Sequence, residues 1–295
     1  MKKPHFFKAK SRIGLLNAPI YTDELNIGVE NGPDAILTKA FLKKFPNSMV
    51  DEFDFPTPES INKQTYIQDI TKPIIQLRDL ITQKLQPDEI QIVIGGDHSI
   101  TFPSMLAVLE KHDATMLGYI QFDSHGDINL YQSSISKNFH GMYVRPLVDR
   151  FDITTIDNLV PQKIPTENVM YLGNLTPFLD TEEKTFFEKK QIKNISLETV
   201  RKNRSAIEEE FQTFINQFVH IHITFDVDVM DKTIAPATGL PAEKGLLMND
   251  VQPLLKIAAK HPSFSFDLSE INPQKKGAEE TIKTAQAILS LMLTN

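Results

Sequence analysis

The chain of 295 residues contains no cysteine, which excludes disulfide bonds and metal sites built from thiolate sulfur. It also lacks any apolar run long enough to span a bilayer, and its basic start is not followed by the apolar segment of a signal peptide. No internal repeat, low-complexity tract or linker divides it. These absences predict a cytoplasmic protein with no membrane partner, in which any metal is held by histidine and carboxylate groups.

The balance of charge is acidic, with a formal net charge of -7. This argues against a protein that binds nucleic acid in general. Hydrophobic residues make up 41% of the chain and charged residues 23%, as in an ordinary globular protein. The length suits one large α/β domain or two small ones, and we expect a single domain over residues 1–295.

Short apolar runs alternate with amphipathic segments, which predicts a parallel sheet covered by helices on both sides. The predicted strands are 13–16, 49–53, 89–94, 116–122, 168–172, 192–195, 219–225 and 263–268. The predicted helices are 101–111, capped by Ser99, then 205–218, 279–293 and a segment at 66–85 interrupted by Pro73. Eight strands also fit a (β/α) barrel, so the pattern leaves two architectures open.

Polar motifs follow the predicted strands at their carboxyl ends, where ligands bind in α/β proteins. Three of these motifs contribute two imidazoles and four carboxylates, namely His98, Asp123, His125, Asp127, Asp226 and Asp228. In an extended backbone, residues two positions apart point to the same face, so each motif can gather its side chains. Each motif alone also fits a polar loop. Together, the buried acids require positive charge between them, which predicts two divalent ions that prefer oxygen ligands.

The motifs G-G-D-H-S, F-D-S-H-G-D, F-D-V-D-V-M-D and S-E-I-N-P, in this order, resemble the ureohydrolase family of arginases, agmatinases and relatives. The resemblance runs from residue 28 to the last predicted helix. It implies a three-layer α/β/α fold with a mostly parallel eight-stranded sheet, and a homo-oligomer that is a trimer or hexamer. It also implies two Mn²⁺ ions per subunit.

The resemblance assigns each metal ligand to one or both ions. The first ion would be held by His98, Asp123, Asp127 and Asp228. The second would be held by Asp123, His125, Asp226 and Asp228. Two of these acids, Asp123 and Asp228, would therefore bridge the ions.

The resemblance further implies three catalytic residues. Asp127, besides binding metal, would orient the attacking hydroxide. His140, in the H-G-M sequence that closes the loop 129–140, would give a proton to the leaving amine, because the pKa of an unperturbed imidazole is near neutral. Glu270, in S-E-I-N-P, would pair with the guanidinium group of the substrate.

The loop 129–140 resembles the pattern with which arginases bind the amino-acid end of arginine. The implied substrate-binding residues are Asn129, Ser134, Ser136, Asn138, Asp180 and Thr238. Two departures stand out: Lys137 occupies a position where arginases usually have glycine, and the R-D-V-D-like stretch expected after residue 173 is missing. Asp180 would replace its acid with a shift of two residues. The alternative is a generic polar loop whose Ser and Asn side chains only satisfy backbone groups.

The sequence thus predicts a dimanganese hydrolase that converts L-arginine to L-ornithine and urea. One alternative is another ureohydrolase, acting on agmatine, guanidinobutyrate or formiminoglutamate, which would share the metal ligands and differ in the loop 129–140. A second alternative is a metal-binding homologue without catalytic activity. Intact ligands together with His140 and Glu270 count against that alternative, because binding alone needs no proton shuttle.

Overall fold

The computed structural model describes residues 3–12, 26–56, 66–173 and 179–294. Within them, eight strands form one sheet, and all paired neighbours are parallel. The strands are β1 (Lys3–Lys10), β2 (Met49–Asp54), β3 (Glu89–Gly95), β4 (Leu117–Phe122), β5 (Val169–Gly173), β6 (Lys193–Ser196), β7 (His220–Asp226) and β8 (Phe264–Ser269). Their order across the sheet is β2-β1-β3-β8-β7-β4-β5-β6.

The sheet is open rather than closed into a barrel. In the described part of the chain, β2 and β6 each pair on one side only, and they lie at opposite ends of the sheet. The late strands β7 and β8 insert between β3 and β4. The carboxyl ends of β3, β8, β7 and β4 therefore lie side by side at the centre, which is where a ligand site is expected.

Helices cover both faces of the sheet, which confirms the predicted three-layer arrangement. The helices are α1 (Gly32–Ile36), α2 (Lys39–Leu42), α3 (Tyr66–Asp69), α4 (Thr71–Lys84), α5 (Thr101–Leu109), α6 (Val144–Val148), α7 (Thr154–Asp157), α8 (Thr181–Lys190), α9 (Leu197–Lys202), α10 (Arg204–Ile215), α11 (Met248–Ala258) and α12 (Ala278–Leu293). One core cluster joins the sheet to α10, α11 and α12, and the other joins it to α4 and α5. In β3, Ile92 and Ile94 belong to the first cluster and Val93 to the second, as the alternation of a strand requires.

Seven of the predicted strands are confirmed, with ends shifted by at most one residue. The remaining prediction, 13–16, lies outside the described residues. The strand β1 was not predicted, because Pro4 and the charged residues of K-P-H-F-F-K-A-K disguise its short apolar centre. The segment 66–85 divides into α3 and α4, and Pro73 lies in the first turn of α4, where a missing N–H group costs little.

Candidate metal centre and substrate cavity

The turn after β3 depends on close approach of two backbone segments. A Cβ atom on Gly96 would lie 1.8 Å from the carbonyl oxygen of Ser11, so only glycine fits there. The chain then turns because the Asp97 side chain accepts a hydrogen bond from the backbone N–H of Ser99 at 3.0 Å. Asp97, and not Ser99 as predicted, is therefore the residue that caps this turn. The turn delivers His98, which is buried, to the edge of the sheet.

The segment after β4 is not extended, contrary to the sequence argument. The strand ends at Phe122, and the carboxylate of Asp123 accepts a hydrogen bond from the backbone N–H of His125 at 2.7 Å. Asp127 then adopts a left-handed backbone, with φ of 49°. The three side chains do converge, but through this folded turn rather than by strand alternation.

A second folded turn follows β7. Asp226 is the last residue of the strand, and its side chain accepts a hydrogen bond from the backbone N–H of Asp228 at 2.8 Å. Residues Val227–Val229 form a single turn of 3-10 helix. The two acids therefore face different neighbours, although extended alternation predicted a common direction.

Five of the six predicted ligands form two adjacent clusters that share Asp123, and the sixth, Asp127, contacts His98 of the first cluster. In the first, the Nδ1 atom of His98 lies 3.1 Å from Asp123, 3.0 Å from Asp127 and 3.3 Å from Asp226. In the second, the Nδ1 atom of His125 lies 3.0 Å from Asp228 and 3.5 Å from Asp123.

This grouping corrects one assignment. The resemblance made Asp228 a bridge that is shared by the ions at His98 and His125, and it gave Asp226 to the second ion only. The distances place Asp226 with His98 and Asp228 with His125. The physical reason is the turn Val227–Val229, which separates the directions of the two acids.

The buried carboxylates of the clusters repel one another, so added positive charge would stabilise their ionised forms. Burial, together with the charge of Asp123, raises the pKa of Asp127 to about 8. Burial and the charge of Asp228 also raise the pKa of Asp226 well above its ordinary value. Burial alone would lower the pKa of His98, but the carboxylates around it raise that pKa well above its ordinary value.

The donor set fits divalent cations. Four carboxylates and two imidazoles converge, and the chain has no sulfur ligand of the cysteine type to offer. Oxygen and imidazole donors in two adjacent groups that share one carboxylate suit a pair of divalent ions. The residues present therefore match a binuclear metal site.

Glu270 lies beside the clusters and is held from two sides. One carboxylate oxygen accepts a hydrogen bond from the backbone N–H of His98 and the other from the side-chain amide of Asn26, both at 2.9 Å. Burial, followed by the charge of Asp97, raises the pKa of Glu270 to about 8. Its backbone φ of 67° is strained for a residue with a side chain, and such strain is common at functional sites.

A cavity of about 270 Å³ opens above the clusters. His98, His125 and Glu270 form part of its wall, so the proposed metal site and the predicted guanidinium partner face the same space. The predicted residues that also line it are Asp127, His140, Asn129, Ser134, Ser136, Asn138 and Asp180. Thr238 is buried and does not line the cavity, whereas the adjacent Gly239 and Leu240 do.

The loop 129–140 forms one side of the cavity and is shaped by its own side chains. The hydroxyl oxygen of Ser134 accepts a hydrogen bond from the backbone N–H of Lys137 at 3.0 Å, and that of Ser136 accepts one from Asn138 at 3.2 Å. Lys137 has a left-handed φ of 58°, which explains why glycine suits this position. The serines thus satisfy backbone groups, as the alternative reading held, and also line the cavity.

Glu183 is a cavity residue that the sequence reasoning missed. Asp180 caps α8 by accepting a hydrogen bond from the backbone N–H of Glu183 at 2.9 Å, and Glu183 accepts one in return from the backbone N–H of Asp180 at 3.2 Å. This reciprocal capping box is detectable as the D-x-x-E spacing before a helix. Both residues line the cavity, so two acids belong to its wall.

Comparison with known proteins decides the family. A model of the arginase family matches residues 11–294. The chain belongs to the arginase family. It is accordingly a ureohydrolase, a hydrolase that acts on linear amidines.

The similarity to individual family members is moderate in sequence and high in fold. The chain is 26% identical to arginase from Staphylococcus aureus strain COL over 94% of this chain and 95% of that protein. The structure of Entamoeba histolytica arginase in complex with L-ornithine matches with a TM-score of 0.85 and 24% identity, over 100% of this chain and 99% of that one. Formimidoylglutamase from Bacillus subtilis shares the fold, with a TM-score of 0.74 and 18% identity, over 99% and 86% of the two chains. Among the described helices, none is long and apolar enough to cross a membrane.

Proposed function

We propose that this ureohydrolase cleaves L-arginine to L-ornithine and urea at a pair of Mn²⁺ ions. The observation that carries the proposal is the arrangement of one cavity. His98 and His125 lie in the wall with Glu270, whereas the Ser and Asn residues of the loop 129–140 line the same space together with Asp180. A guanidinium group at one end and an α-amino acid at the other would find partners of the right kind.

The composition of the cavity wall supports arginine over other ureohydrolase substrates. Of the described residues that line it, none is lysine or arginine. Formiminoglutamate carries two carboxylates, which would lack a cationic partner beside Asp180 and Glu183. Agmatine and arginine both have the amine or amino group that suits these acids, but only arginine has a carboxylate for the hydroxyl and amide donors of the loop.

Two ions at the clusters would be held by His98, Asp123, Asp127, Asp226, His125 and Asp228. When bound, divalent ions lower the pKa of water and so supply a hydroxide nucleophile near neutral pH. Oxygen and nitrogen donors without sulfur favour a hard or borderline ion such as Mn²⁺.

Residues of this chain would orient the substrate and the nucleophile and would supply the proton for the leaving group. The carboxylate of Glu270 would accept two N–H groups of the guanidinium and hold its carbon in place for attack. Its raised pKa does not prevent this, because the cation of the substrate favours the ionised carboxylate. Asp127 would accept a hydrogen bond from the nucleophile, and His140 would donate a proton to the departing δ-amine.

A panel of substrates with product detection tests the proposal. The Mn²⁺-loaded protein would be given L-arginine, agmatine, 4-guanidinobutyrate and N-formimino-L-glutamate, with urea and formamide measured. We expect urea from L-arginine at the highest kcat/KM. A higher kcat/KM on another member of the panel would make that compound, and not arginine, the substrate. If none of the compounds were turned over, the protein would be non-catalytic. We also propose a homo-oligomer, a trimer or hexamer, which sedimentation analysis would test.

A further inference from the structure

Asp123, which both clusters share, accepts one hydrogen bond on each of its oxygens. Oδ1 accepts from the backbone N–H of His125 and Oδ2 accepts from the side-chain amide of Gln121, each at 2.7 Å. A carboxylate oxygen offers about two lone-pair sites. Each oxygen therefore keeps one lone pair for a cation. Oδ2 lies 3.1 Å from Nδ1 of His98, and Oδ1 lies 3.5 Å from Nδ1 of His125.

The amide of Gln121 is oriented by a neighbouring tyrosine. The hydroxyl of Tyr119 donates to Oε1 of Gln121 at 2.8 Å, so the NH₂ group must face Asp123. The hydroxyl oxygen of Tyr119 lies 3.3 Å from that of Tyr143, whose ring packs on His98 with ring centroids 4.8 Å apart. All of these side chains are buried.

A role in packing alone does not explain this glutamine. Gln121 is fully buried in β4, a central strand whose other residues include Leu117, Ile120 and Phe122. A buried amide costs free energy unless its groups are hydrogen-bonded, so an apolar side chain of similar size would fill the space at lower cost. The amide is instead hydrogen-bonded on both sides, with its oxygen accepting from Tyr119 and one N–H donating to Asp123.

We propose that Gln121, oriented by Tyr119, is a positioning residue that holds Asp123 between the two clusters and thereby sets the affinity of the centre for its ions. The N–H donor fixes the rotation of the carboxylate so that one oxygen faces each histidine. It also occupies the lone pair that would otherwise turn toward the protein interior. This inference rests on the proposed metal centre and does not depend on arginine as the substrate.

The test compares two buried glutamines. Gln121→Met removes the donor to Asp123 at similar volume. Gln91→Met is the matched control, because Gln91 is buried in β3 and donates to the Oγ atom of Ser104 at 2.8 Å and to its carbonyl oxygen at 3.1 Å. The affinity of metal-stripped protein for Mn²⁺ would be measured by competition with a chromophoric chelator. We expect Gln121→Met to bind at least one ion roughly 10–100-fold more weakly, the usual effect of losing a group that orients a ligand. Gln91→Met should bind as the wild type does.

A second variant separates orientation from loss of the amide. Tyr119→Phe keeps Gln121 but removes the hydroxyl that fixes its amide, so we expect a smaller loss of Mn²⁺ affinity. The double variant should lose no more affinity than Gln121→Met alone, because both substitutions act through one hydrogen-bonded chain. Urea unfolding of each variant would show that it is folded before metal is added.

The outcomes separate this inference from the proposed function. Wild-type protein that binds no Mn²⁺ would overturn the metal centre and with it the role of Gln121. Wild-type protein that binds Mn²⁺, with Gln121→Met binding equally tightly, would overturn the role of Gln121 alone. Equal weakening in Gln91→Met would do the same, because it would attribute the loss to general destabilisation.

Discussion

Glu270 occupies a position where strain, burial and charge coincide. Its carboxylate is fixed by hydrogen bonds from the backbone of His98 and the side chain of Asn26, and Glu270 lines the cavity where a guanidinium would lie. We predict that Glu270→Gln keeps the fold and two ions but lowers kcat/KM by at least ~10²-fold, or about 2.7 kcal/mol, because the charged pair with the substrate is lost. Steady-state kinetics on protein of measured metal content would check this. A variant with nearly normal kcat/KM would rule out the role.

His140 lines the cavity and belongs to neither cluster. Removal of its imidazole should therefore spare the metal and slow the reaction. We predict that His140→Ala retains two ions and loses turnover by on the order of 10²–10⁴-fold, as expected for a general acid. Metal analysis and kcat would be measured on the same sample. If the variant lost metal but kept its rate per bound ion, His140 would be a ligand instead.

Glu183 makes the stability of the metal-free protein depend on pH. Burial, joined by the charge of Asp180, raises the pKa of Glu183 from 4.5 to about 7. Between these values the folded state binds more protons than the unfolded state, so this residue lowers the free energy of unfolding as pH rises. Glu183→Gln has no proton to lose, and glutamine can keep the capping box.

We predict that the free energy of unfolding falls more in the wild type than in Glu183→Gln when the pH is raised from 4.5 to above 7. The difference between the two falls should be on the order of 3 kcal/mol. Urea unfolding of chelator-treated protein at both ends of this range would measure the difference. Parallel pH profiles for the two proteins would show that Glu183 ionises normally.

At the scale of single elements, the sequence predicted strands better than the turns that follow them. Apolar runs such as residues 117–122 predict a buried strand from their composition alone. The turns carry the chemistry, and their left-handed residues, such as Asp127 and Lys137, are set by tertiary contacts and not by local pattern. The assumption of extended backbone therefore selected side chains that do converge, but it gave Asp226 and Asp228 a common direction that the turn Val227–Val229 does not allow.

The loop 129–140 provides the prediction that separates arginine from agmatine. Ser136 lines the cavity, whereas Gln132 on the same loop is exposed and does not line it. We predict that Ser136→Ala raises KM for arginine more than for agmatine, which lacks the carboxylate, and that Asn129→Ala does the same. The control Gln132→Ala should leave both KM values unchanged. Equal increases on both substrates would show that the loop does not bind the carboxylate end.

At the scale of the whole molecule, the order of the strands assembles the site. The motifs after β3, β4, β7 and β8 are spread over more than half of the chain, yet the insertion of β7 and β8 at the centre makes them neighbours. A parallel sheet was predictable from alternating strands and helices. Its order was not predictable from these patterns, because local patterns carry no information about which strands pair. The predicted metal ligands indicated that three of these strand ends meet, and the family resemblance added the fourth through Glu270.

We propose that this arrangement makes the hydrolase dependent on two divalent ions. Both clusters share Asp123, so one carboxylate couples the two sites. The most direct measurement is urea release from L-arginine during titration of chelator-treated protein with Mn²⁺. We predict that metal-free protein is inactive and that activity reaches its maximum at two ions per subunit. Full release of urea by protein shown to contain no metal would contradict the account.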